Sequence, residues 1–157
     1  MLRQLLQGAA AGAAGTTALN ALTYLDMALR GRPTSSTPEQ TVEKLSASVG
    51  VGIPGDDGTR PNRVQGIGAL MGLTTGVLVG AALGAADDVL GGALHRLPPG
   101  VLGTGVATGA LVGANGPMAV MGVSDPRSWS ASDWTSDLVP HLGYGLVTAL
   151  TYSAIAD

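Results

Sequence analysis

The sequence predicts an all-α integral membrane protein, a four-helix bundle with glycine-zipper packing and a short amphipathic helix in its first loop. Only 12% of the 157 residues are charged, about half the share in a typical soluble domain. The charges leave four uncharged segments of at least about 19 residues, a length that crosses a hydrocarbon core of roughly 30 Å. Glycine recurs at every fourth residue in one segment, which is typical of helix backbones that approach closely. The segments lie between Arg3 and Asp26, Arg63 and Asp87, Arg96 and Asp125, and Asp137 and Asp157.

We expect a single transmembrane domain over residues 1–157, with spanning helices at about 5–29, 64–86, 99–123 and 138–156. Arg3, followed by an apolar run and small residues, also loosely fits a secretory signal, but we interpret this segment as the first spanning helix. Asp26 precedes Arg30 by one turn, so the two can pair at the membrane edge. Pro117 should bend the third helix.

The long polar loop at 31–63 contains a helix start signal. Thr37 suits a cap and Pro38 suits the first turn, which predicts a helix at about 38–49. Its apolar residues fall on one face, so the helix either lies on the membrane surface or folds against the bundle. A solvated loop helix without a separate role is the alternative.

Glycines at period four are predicted to pack the second and third spanning helices. Each step of four turns about 40° past a full turn, so five such glycines drift about 160° around a straight helix. The stripe on the second helix should therefore serve two neighbours, and we expect these to be the first and third spanning helices. Packing within one molecule and homo-oligomer formation both remain open. The residues are Gly68, Gly72, Gly76, Gly80 and Gly84, followed by Gly105, Gly109 and Gly113.

A second set of residues forms a predicted polar layer at one depth. From their positions along the helices, all lie within roughly 5 to 12 Å of the same membrane face. Polar groups in lipid are costly, so they should face inward and meet each other. One hypothesis is a polar, proton-responsive pocket, and the other is hydrogen bonding between helices that serves packing alone. The set comprises Asn20, Asn115, Asp137, His141 and Tyr144.

Composition excludes several classes of chemistry. The chain has no cysteine, so disulfides, thiolate metal sites and cysteine nucleophiles are excluded. The net charge of −3 argues against nucleic acid as a partner. No metal or nucleophile motif is present, and no cofactor is expected. Asp87 and Asp88 could bind a cation, but paired acids at a helix end are more often solvated, which is the interpretation we adopt.

Basic residues predict the orientation. Six arginines and lysines fall in loops 31–63 and 124–137 or at their edges, against two on the other side, so these loops are expected in the cytoplasm. Trp129 and Trp134, in the second of these loops, are a candidate interfacial aromatic pair. The six are Arg30, Arg32, Lys44, Arg60, Arg63 and Arg127, and the two are Arg3 and Arg96.

The second half of the chain has a distinctive outline: a glycine-rich span, an apolar end with Pro117, a short link with tryptophans and an acidic residue, and a last helix that opens with Pro140–Gly145. This outline resembles the YagU-like group of small bacterial inner-membrane proteins. The resemblance implies a four-helix protein of the bacterial cytoplasmic membrane, with a suggested link to acid tolerance. The chain departs from that group where His141 precedes the Gly-Tyr-Gly step and in its long first loop, so the resemblance carries architecture only.

These features favour a non-enzymatic integral membrane protein that acts as a structural or accessory subunit. Its expected partners are the lipid bilayer and either further copies of the chain or a larger membrane complex. The alternative is a small oligomeric channel or transporter with a proton-responsive polar site near one membrane face. A membrane enzyme is the least supported class, because His95 and His141 lie in different segments and no catalytic constellation accompanies them.

Overall fold

A computed structural model describes residues 1–156, and all regular structure in this range is helical. The prediction of an all-α chain is confirmed. One 3-10 turn, Pro126–Ser128, precedes the last helix. The helices are α1 Leu2–Arg30, α2 Thr37–Ser48, α3 Thr59–Val89, α4 Pro99–Val120 and α5 Ala131–Ile155.

The long helices extend beyond the uncharged segments from which they were predicted. Helix α3 begins at Thr59, because the side chain of Asp56 accepts hydrogen bonds from the amides of Gly58 and Thr59. Helix α5 begins at Ala131, where Ser130 and Asp133 form a capping box. Both starts lie several residues before the predicted ones. Charged residues are stable in the end turns of a helix, so the first uncharged residue does not mark its beginning.

The four long helices pack in the spatial order α3, α1, α5, α4. Helix α1 lies between α3 and α5, and α5 also packs against α4, whereas α3 and α4 touch over a short stretch. Helix α2 lies on α3. The amino-terminal helix is therefore central, and the polar end of the bundle is formed by the carboxyl ends of α1 and α4 and the start of α5.

Helices α1 and α3 are joined backbone to backbone by glycines. A Cβ atom added to Gly12 would lie 3.0 Å from the Cα of Gly80, and one added to Gly8 would lie 3.0 Å from the Cα of Gly84. Gly76, the next glycine along α3, faces the side chain of Thr16. This approach leaves no room for side chains, which explains the spacing of four on both helices.

The two remaining glycines of the α3 stripe have different surroundings. Gly68 faces Pro38 at the start of α2, and Gly72 has no heavy atom within 4 Å of an added Cβ. The expectation of two neighbours therefore needs a correction, because the second neighbour is the loop helix α2 and not α4.

Helix α4 contacts α5 through residues outside its period-four set. An added Cβ on Gly103 would lie 3.0 Å from the Cα of Leu146, and one on Gly145 would lie 2.8 Å from the Cβ of Ala107. By contrast, the predicted packing residues Gly105, Gly109 and Gly113 have nothing within 4 Å of an added Cβ in the described structure. They lie on a face of α4 that no other helix of the described chain covers.

Helix α2 is folded against the bundle. Its Thr41 and Val42 are buried, and Glu43 forms a two-pronged ion pair with Arg60 at the start of α3. The Arg60 hydrogen bond holds the pKa of the Glu43 carboxyl below its usual value of 4.5. Leu45 remains exposed, so the outward face of α2 keeps part of its apolar surface.

Many large aliphatic side chains lie on the outside of the bundle, whereas small and hydroxyl-bearing residues fill its centre together with Leu83, Leu102 and Val106. Tyr144, Ala149 and Tyr152 are fully buried between the helices. Leu78 on α3 is 61% exposed and Val112 on α4 is 66% exposed. Within residues 1–156, one helix, Thr59–Val89, is long and apolar enough by length and composition to cross a membrane.

Candidate functional site

A half-open cavity of about 580 Å³ lies at the polar end of the bundle. Its walls come from the carboxyl end of α1, the loop that follows it, the second half of α4 and the first turns of α5. Among the side chains that line it are Arg30, Arg32, Asn115, Trp129, Asp137 and His141. Its volume falls in the range of small-molecule sites.

Three residues of the predicted polar layer meet in this cavity. The Asn115 amide donates to Asp137 Oδ2 at 2.9 Å, which joins α4 to α5. His141 Nδ1 lies 2.8 Å from the main-chain oxygen of Asp137 and 3.5 Å from Oδ1 of the same residue. A carbonyl oxygen only accepts, so His141 Nδ1 carries the hydrogen of this contact.

The other two predicted residues lie elsewhere. Tyr144 is buried in the helix core, where its hydroxyl donates to the main-chain oxygen of Gly76 at 2.7 Å. Asn20 is half-buried on α1 and is not among the residues that line the cavity in the described structure. The five residues, predicted to lie at one depth, do not share one pocket in the described structure.

An arginine cluster on the α1 side of the cavity was only partly predicted. Asp26 pairs with Arg30 at 3.1 Å, as expected, and also with Nε of Arg32 at 2.5 Å. Arg30 continues across to α5, where it donates to Ser136 Oγ at 2.9 Å and to the hydroxyl of Ser132. Arg32 lies in a loop, where no helical spacing could relate it to Asp26.

The two sides of the cavity differ in charge. On the α1 side two guanidinium groups face one carboxylate, that of Asp26, which leaves one positive charge in excess. On the α5 side the acidic residue is Asp137, which accepts from the amide of Asn115. Asp133 also lines the cavity, but its carboxylate is held by the amide and hydroxyl of Ser130.

The two tryptophans lie at the same end of the bundle. Their rings meet edge to face, with centroids 5.0 Å apart and planes at 64°. The indole N–H of Trp129 donates to Ser124 Oγ at 2.9 Å. Amphipathic rings of this kind are enriched at the level of lipid head groups.

A second polar cluster lies at the opposite end, around Asp87. The expectation that this residue is solvated is wrong, because its side chain is only 2% exposed. Asp87 Oδ1 accepts from the amides of Leu94 and His95 at 2.7 and 3.2 Å. Its Oδ2 lies 2.6 Å from His95 Nδ1 and accepts from the Tyr152 hydroxyl at 3.0 Å. The carboxylate therefore joins α3, the following loop and the end of α5.

A sequence signal for this cluster exists in the two glycines that follow α3. Gly91 and Gly92 both adopt positive φ, at 64° and 79°, so the chain reverses immediately after the helix. That reversal brings the amides of residues 94 and 95 back to Asp87. Tyr152, however, lies on a helix far along the chain, and no local pattern could place it there.

No protein-family model, curated protein or solved structure matches the chain. Residues 1–156 contain no group of three or more His, Asp or Glu side chains arranged to hold a metal ion. The candidate site is a cavity at the polar end of a helical bundle, lined by Arg30, Arg32 and Asp137.

Proposed function

We propose that this chain is a non-enzymatic, multi-pass protein of the bacterial cytoplasmic membrane that acts as a structural or accessory subunit. In this proposal α1, α3, α4 and α5 all cross the bilayer. The observation that carries it is the distribution of side-chain size: most large aliphatic residues of these helices are exposed, and the helices touch mainly through glycine, alanine and hydroxyl-bearing residues, with a few buried leucines and valines.

Exposed aliphatic side chains are costly in water and not in lipid. Burial of apolar surface is worth roughly 25 cal/mol per Å² in water, yet each spanning candidate presents large apolar residues outward. Small residues at the contacts are the usual packing of membrane helices, where close backbone approach replaces the hydrophobic effect between helices. The outward residues include Leu6 on α1, Leu78 on α3, Val112 on α4 and Leu150 on α5.

Helix length is compatible with four crossings. The shortest candidate, α4, has 22 residues, or about 33 Å at 1.5 Å per residue, against a hydrocarbon core of roughly 30 Å. Helix α3 alone meets the apolarity criterion within the described residues. The glycine and threonine that let α1, α4 and α5 pack closely also lower the mean hydropathy of these helices.

Single-cysteine labelling tests this topology, because the natural chain has no cysteine. In intact cells a membrane-impermeant maleimide is expected to label Leu90→Cys and to leave Thr34→Cys and Ala131→Cys unlabelled until the cells are opened. Leu78→Cys should resist labelling in both cases, because lipid covers it. Release of the protein by carbonate washing, or labelling of Leu78→Cys in sealed membranes, would contradict the proposal.

A channel or transporter is the second candidate function, favoured by the polar cavity with Asp137 and His141 at one end of the bundle. Purification in gentle detergent followed by reconstitution into liposomes distinguishes the accessory role from the channel. The accessory role predicts a partner protein at constant stoichiometry and no ion flux. The channel predicts a homo-oligomer whose flux in liposomes falls at least about tenfold in His141→Gln. Flux that is unchanged in this variant would count against the cavity as the path.

A further inference from the structure

The α1 side of the cavity has hydrogen-bond donors that the chain leaves unused. Arg32 is mostly buried, with 19% of its side chain exposed, and is held by Asp26 through Nε and by the Pro33 oxygen through Nη1. Its Nη2 makes no hydrogen bond within the described residues. A guanidinium fixed in this way presents two preorganised N–H groups to an anionic oxygen.

The α5 side has the complementary feature, an unused acceptor. Asp137 Oδ2 accepts from Asn115, but Oδ1 lies 3.5 Å from the nearest His141 nitrogen, too far for a strong hydrogen bond. A carboxylate offers about four acceptor positions. Asp137 can therefore accept from a cationic donor inside the cavity.

Apolar side chains line the same cavity. Leu19 lines it about three turns deeper along α1 than Arg30. Ala114 and Met118 of α4 line the same region. The ligand that fits has an anionic group, an ammonium group and an apolar tail, and the adjacent tryptophan pair is typical of the head-group level where such ligands lie.

We propose that this cavity binds the head group of a phosphatidylethanolamine lipid, with its phosphate against Arg32 and its ammonium against Asp137. The inference rests on the proposed membrane location. Phosphoethanolamine chemistry also occurs in soluble molecules, so the test includes both sources. A choline head group is a poorer ligand because its trimethylammonium has no N–H to donate, and a phosphatidylglycerol head group has no cation for Asp137.

The test measures thermal unfolding of the detergent-purified chain with added lipid. Ligand that binds the folded state raises the midpoint, and we expect phosphatidylethanolamine at saturation to raise it by about 5 °C. Phosphatidylcholine and phosphatidylglycerol should give less than half this shift. Soluble glycerophosphoethanolamine, which lacks the tail, should give almost none at the same concentration.

Two variants test the expected phosphate contact of Arg32 and the expected ammonium contact of Asp137 separately. Asp137→Asn should reduce the shift from phosphatidylethanolamine to that from phosphatidylglycerol, whereas Arg32→Gln should reduce both. Asp125→Asn and Arg127→Gln are matched controls, because these residues form an exposed ion pair at the same end of the bundle. Both controls should keep the lipid preference of the unmodified protein.

The unmodified protein alone can overturn the inference, whether or not the variants fold. Equal shifts with all three lipids would do so, and an equal shift with soluble glycerophosphoethanolamine would overturn the lipid as the ligand. If cysteine labelling supports four crossings and the lipid preference is absent, only this inference fails. If the labelling contradicts the crossings, the proposed function fails as well.

Discussion

Replacing Gly80 with alanine is expected to destabilise the protein strongly, because the added methyl group has no room beside α1. An added Cβ would lie 2.6 Å from both the Cα and the nitrogen of Gly12, and backbone atoms cannot rotate away as a flexible side chain can. Overpacking typically costs about 1 to 3 kcal/mol, and we expect at least the upper end of that range. The measurement is the free energy of unfolding in mixed micelles titrated with a denaturing detergent.

Gly72→Ala is the matched control within the same stripe. It lies on the same helix at the same spacing, but an added Cβ has no heavy atom within 4 Å. Alanine is a better helix former than glycine, so a small gain of about 0.5 kcal/mol is expected. Equal losses in the two variants would show that the α1–α3 contact is not as described. A loss confined to Gly72→Ala would indicate that this open glycine packs against another molecule.

Replacing Asp87 with alanine is the second change with a large expected effect. The carboxylate accepts three hydrogen bonds from N–H and O–H donors and lies 2.6 Å from the His95 ring, in a site that is almost fully buried. Removal of such an acceptor leaves buried donors without partners, which costs about 1 to 3 kcal/mol for each group. We expect a loss of about 3 kcal/mol or more, measured as for Gly80→Ala, together with increased proteolysis of the loop after α3.

Asp88→Ala and Asp87→Asn are the controls for this prediction. Asp88 pairs with the terminal amine of Met1 at a partly exposed position, where ion pairs contribute little, so its removal should leave the midpoint nearly unchanged. The amide of Asp87→Asn retains one oxygen for the amides of residues 94 and 95, and an intermediate loss is expected. If Asp87→Ala and Asp88→Ala behave alike, the buried cluster does not stabilise the fold.

The glycine pattern shows how far local sequence information extends. Period four on α3 predicted close backbone contact, and Gly80 and Gly84 meet the α1 backbone in this way, whereas Gly76 faces the side chain of Thr16. The same period on α4 predicted the same contact for Gly105, Gly109 and Gly113, which no helix of the described chain approaches. A glycine face is compatible with any helix that offers another small-residue face, so the spacing contains no information about the partner.

For the polar residues of the two clusters, too, the sequence predicted some contacts and left others undetermined. Asn115, Asp137 and His141 could be grouped from the sequence, since His141 follows Asp137 by one helical turn and Asn115 lies at a similar depth. The same depth argument predicts Tyr144 in this group, yet its long side chain reaches Gly76 on another helix. Arg32 and His95 lie in loops, where helical periodicity says nothing about direction.

The sequence by itself determined the helices, because backbone hydrogen bonds and caps such as Ser130 with Asp133 form between residues a few positions apart. It also determined which segments are free of charge. The tertiary structure alone decided that α1 is central, that Tyr152 bonds to the buried Asp87 and that two arginines and Asp137 line one cavity. These contacts join residues far apart in the chain, and their geometry depends on how each helix is rotated about its axis, which small and nearly uniform side chains leave unspecified.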